Sequence, residues 1–70
     1  SMINPSVKSL IRNSSWKELK QEIKTRISDE MHQPFKSLTD ANAVLAEVNR
    51  RVGLGQIMDL LEQLESEANV

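Results

Sequence analysis

Residues 38–68, LTDANAVLAEVNRRVGLGQIMDLLEQLESEA, decide how this chain reads. Leu38, Ala41, Leu45, Val48 and Val52 recur at steps of three and four, with Val44 beside them. That period belongs to an amphipathic helix, and the spacing predicts one over about 38–52. Ser37 or Thr39 is placed to cap it, and Asp40 opposes the helix dipole in its first turn. Gly53-Leu54-Gly55 then interrupts the pattern. A glycine just past a helix can take the left-handed conformation of a terminating position, and Leu54 could fold back onto Val48. A last helix is expected over about 56–68, with Ile57, Leu60, Leu61, Leu64 and Ala68 on its apolar side and Met58 at the margin. So short a turn makes helices 38–52 and 56–68 an antiparallel hairpin.

Upstream, Ser15-Trp16-Lys17-Glu18 has the form of a capping box, in which the serine oxygen accepts from the Glu18 amide. Trp16, Leu19, Ile23, Ile27 and Met31 follow as one helical stripe. Glu22/Arg26 here, and Glu47/Arg51 further on, are ordered as favourable i,i+4 pairs. Pro34 disfavours helical geometry at Gln33, so this helix should cover about 16–32. Asn4-Pro5 can open a short first helix, about 5–12, because proline suits the first helical position. The expected fold is all-α: a small up-down bundle of three main helices (about 16–32, 38–52 and 56–68) and a short N-terminal one. The stripe of Leu45, Val48, Val52, Ile57, Leu61 and Leu64 should meet that of Trp16, Leu19, Ile23 and Ile27.

Seventy residues allow one domain, expected over 2–70 with Ser1 as a vector-derived residue. A chain this short buries only about 60% of its unfolded surface, so a lone core is marginal. Small domains gain stability from disulfides, a metal or self-association. There is no cysteine and one histidine, His32, which leaves self-association. The uncovered apolar surface of three such helices predicts a homodimer or higher oligomer. No long apolar run or signal-peptide pattern appears, so a cytoplasmic protein without a membrane partner is expected.

Charge is divided between the halves. Residues 2–36 sum to +3 and residues 37–70 to −4. This suits a fold, or a head-to-tail assembly, in which the halves face each other. Arg12, Lys17, Lys20 and Lys24 make a basic surface that could track a nucleic-acid backbone. The one aromatic nearby, Trp16, is on the apolar side, so no stacking platform accompanies it. Helix 56–68 has four carboxylates and no basic residue, which argues against a DNA-recognition helix after the GLG turn.

Chemistry has little to stand on. His32 falls at a helix end, where the dipole favours a cation, and no serine, carboxylate or second histidine lies at a spacing that suggests a catalytic constellation. Asp29 and Glu30 diverge by about 100° on a helix. Glu62 and Glu65 share a face, as solvated acids often do. Gly53-Leu54-Gly55 lacks the Gly-Lys-Ser/Thr of a phosphate loop. No catalytic residue, cofactor, metal or small-molecule substrate is expected, and the chain does not read as an enzyme. It reads as a structural or interaction module acting through self-association or docking on a protein partner. A small nucleic-acid-associated regulator using Lys17, Lys20 and Lys24 is the alternative.

The order Trp16, Leu19, Ile23, followed by Gly55, Ile57, Leu60, Leu61 and Leu64, resembles small helical proteins encoded among the structural genes of tailed bacteriophages. The likeness covers about residues 15–65 and departs at the Pro34 loop and the Val52-Gly53 junction. It implies a role in the virion, in its assembly, or as an accessory protein binding a host protein, located in the host cytoplasm or the virion. It implies no catalytic residues.

Overall fold

The computed structural model describes residues 2–70, and among them the regular structure is entirely helical. Helix α1 covers Pro5–Arg12, α2 covers Trp16–Met31 and α3 covers Ala41–Ala68. The all-α bundle and its short N-terminal helix are as expected. The hairpin is not: 41–52 and 56–68 are parts of one 28-residue helix.

Both glycines lie inside α3, and neither has positive φ. A terminating glycine needs the left-handed conformation, so without it the hydrogen-bond ladder continues. Each interior glycine costs about 1 kcal/mol relative to alanine, which slows a helix but does not stop it. Packing holds the helix together on both sides of the pair. Before the glycines, Arg51 donates to the Met31 carbonyl at 2.8 Å; after them, Leu61 is buried and Glu62 and Glu65 are paired with α2. Helix α2 thus splints α3 across its weak centre.

The caps differ in part from the sequence pattern. Asn4 caps α1, its side-chain oxygen accepting from the Ser6 and Val7 amides, with Pro5 at the first turn. Ser15 stands at the start of α2 but makes no side-chain cap. Its backbone is already helical, which points the hydroxyl away from the first free amides, and the turn is held by Asn13 accepting from the Ser15 amide at 2.8 Å. Asp40, not Ser37 or Thr39, caps α3, accepting from Asn42 at 3.0 Å and Ala43 at 3.2 Å. Ser37 closes the preceding turn instead, and Leu38, expected inside the helix, lies outside it at 79% exposure.

Helices α2 and α3 run antiparallel: Trp16 meets Glu65 at one end, and Met31 meets Arg51 at the other. Helix α1 packs on both, placing Ile11 in the interior. That interior is small. Ile11, Ile27, Leu61 and Ala68 are buried, and among the described residues no large side chain is completely so. The radius of gyration is 15.7 Å, against about 11 Å for a compact domain of this length. Among the described residues no helix is long and apolar enough to cross a membrane.

Candidate interaction surface

Two polar assemblies bind α2 to α3. The first follows from charge division along the chain. Lys20 reaches Glu62 at 3.0 Å and Glu65 at 2.8 Å, and Lys24 reaches Glu62 at 3.3 Å. Trp16 Nε1 donates to Glu65 at 2.9 Å. Hydrogen bonds from Lys20, then Trp16, hold Glu65 below the usual carboxylate pKa; Lys20, then Lys24, do the same for Glu62. Glu65, then Glu62, raise Lys20. The basic half of the chain faces its own acidic half. Lys20 and Lys24, expected on an open basic surface, are therefore engaged within the chain, while Arg12 and Lys17 remain exposed.

The second assembly centres on Arg51. Besides Met31, its guanidinium donates to the Gln33 carbonyl and to Glu47 at 2.9 Å, and it lies 4.3 Å from the centre of the Phe35 ring. Arg51 therefore satisfies two carbonyls freed at the end of α2 and fastens the 32–40 connection to α3. Arg50 joins it by bridging Glu47 at 2.8 Å and Glu30 at 3.3 Å. Arg50, then Arg51, pull the Glu47 carboxyl down to about 2. The expected Glu22–Arg26 and Glu47–Arg51 pairs both form. The sequence pattern gave only the latter half of this clamp, because bonds from a side chain to a distant carbonyl leave no local signature.

His32 is exposed, with Nδ1 2.7 Å from the Ser28 carbonyl, so it closes the last turn of α2. No group of three histidine or acidic side chains among the described residues is arranged to hold a metal. A shallow groove by Phe35, Lys36, Ala43 and Glu47 opens beside the Arg51 clamp. Its Glu30, Glu47, Arg50 and Arg51 already have partners within the chain, and Lys36 is exposed at its edge.

The apolar residues divide between two environments. Ile27 and Leu61 are buried, and Trp16, Ile23 and Leu64 are half-buried between the helices. Leu19, Leu45, Val48, Val52, Ile57 and Leu60 remain between 41% and 60% exposed. The expected packing of Leu45, Val48, Val52 and Ile57 onto α2 does not occur. With α3 unbroken, the residues that a hairpin would have turned inward point away from α2. Helix α3 meets α2 through Arg50, Arg51, Glu62 and Glu65, and Glu47, Leu54, Met58 and Leu61 along the same side are buried or half-buried. Its opposite side carries the exposed apolar residues, in contiguous rows rather than singly. Contiguous apolar surface of this kind marks a binding site more often than scattered apolar residues do. Against protein-family models, curated proteins and solved structures, the chain gives no match.

Proposed function

We propose that this chain is a non-catalytic interaction module that works by presenting the outer apolar side of α3 to another protein chain. One observation carries the reading. Leu45, Val52, Ile57 and Leu60, large aliphatic residues of α3, are 44% to 60% exposed, while among the described residues only four apolar side chains are buried. Removing apolar area from water contributes about 25 cal/mol per Å², so a helical partner laid over these residues adds stabilisation that the isolated chain leaves unused. The phage-like order of residues fits an assembly role. Lys20 and Lys24 already serve the bundle, which leaves the nucleic-acid alternative without its stripe.

The test is the mass in solution by light scattering over a range of protein and salt concentration, read together with binding of a hydrophobic dye. Self-association, or a monomer that binds the dye, supports the reading. A monomer that binds no dye rejects it.

A further inference from the structure

We propose that the partner is a second copy of this chain, crossing α3 of the first in antiparallel sense over Val52 and Gly53. The inference rests on the interaction-module reading and goes further, naming the occupant and the register.

The exposed side of α3 consists of two rows at spacing four. One runs Ala41, Leu45, Asn49, Gly53, Ile57; the other runs Val48, Val52, Gln56, Leu60. Rows of this spacing are the ridges that interlock when two helices cross at about −50°. A two-fold axis between Val52 and Gly53 lays each row of one copy upon the other row of its partner. Val48 then meets Ile57 beside the crossing, and Leu45 faces Leu60 at its margin. The only two polar residues in the rows, Asn49 and Gln56, meet each other, so each carboxamide gains a hydrogen-bond partner as it loses water. A two-fold contact requires this reciprocity, in which one residue touches a second and the second touches the first. A foreign helix does not require the sequence to mirror itself.

Glycine and charge agree with the register. A Cβ added at Gly53 would meet nothing within 4 Å, so the isolated chain gives no packing reason for a residue that weakens the helix. At a crossing point, a missing side chain lets two helix backbones approach closely. Neither row contains an ionisable residue. Residues 41–52 of α3 sum to +1 and residues 53–68 to −4, so antiparallel crossing sets unlike halves side by side, whereas a parallel pair would bring acid to acid.

The chain has no cysteine, so introduced thiols report cleanly. V48C and I57C chains, both at exposed positions, are mixed and oxidised under mild conditions. The expected product is the mixed 48–57 disulfide, at least tenfold over either like-with-like product. Light scattering on unmodified protein should give a dimer, and G53L should raise its dissociation constant at least tenfold with helix content unchanged by circular dichroism. A dimer that gives mainly 48–48 and 57–57 products, or none, overturns the crossing but leaves self-association standing. A monomer at every concentration overturns the second copy as occupant; if that monomer binds hydrophobic dye, the interaction reading survives with a foreign partner.

Discussion

Arg51 and Arg26 are both arginines paired with a glutamate four residues earlier, yet their surroundings separate them. Arg26 is 78% exposed and touches only Glu22, so its removal should change stability by no more than about 0.5 kcal/mol. Arg51 also holds two backbone carbonyls and the face of Phe35, so R51A should cost about 1–3 kcal/mol. Urea denaturation of both variants checks the contrast. The acid limb of stability belongs to this scale too. Glu47, Glu62 and Glu65 titrate below 4.5 when folded, so each binds protons more readily in the unfolded chain. Their contribution is complete above that value and disappears as pH falls through their folded values, for Glu47 at about 2. Lys20, raised above 10.5, contributes below that pH and loses its contribution as pH climbs beyond its folded value. Melting temperature followed by circular dichroism should therefore be level from about pH 6 to 9 and fall on both sides, and E47Q should blunt the acid fall.

Helix α3 shows where sequence pattern and structure part company. Its apolar period, its neighbouring i,i+4 pair and the Pro34 boundary of α2 are local features, written within a few residues of where they act. Whether a glycine ends a helix is not local. It depends on what holds the chain on either side, and here Arg51 is held by the Met31 and Gln33 carbonyls and Glu62 and Glu65 by Lys20, all distant in sequence. The same reasoning covers Ser15, whose sequence context fits a cap but whose backbone does not. At Gly55 the continuous helix makes a direct prediction. A Cβ there meets nothing within 4 Å, and the backbone is helical, so G55A should stabilise the fold by up to about 1 kcal/mol. A hairpin turn requiring left-handed geometry would instead lose stability on the same substitution. Thermal denaturation at low protein concentration distinguishes the two.

For the whole molecule, the marginal core was legible in length and composition. Which apolar residues stay outside that core was not, because it depends on α3 being unbroken: Leu45, Val52 and Ile57 face inward only if a turn forms at the glycines. L45D tests the distinction. At a core position, a buried unpaired carboxylate would unfold so small a protein; at this exposed position the monomer should keep its helix content while self-association falls at least tenfold, measured by circular dichroism and light scattering. The long α3 also governs how the molecule diffuses. A radius of gyration of 15.7 Å is that of a compact protein of about 175 residues, so a single rod-like chain drags through a gel matrix like a globule of more than twice its mass. Elution volume alone would mimic a dimer before any two chains had met, and only a shape-independent mass can count the copies.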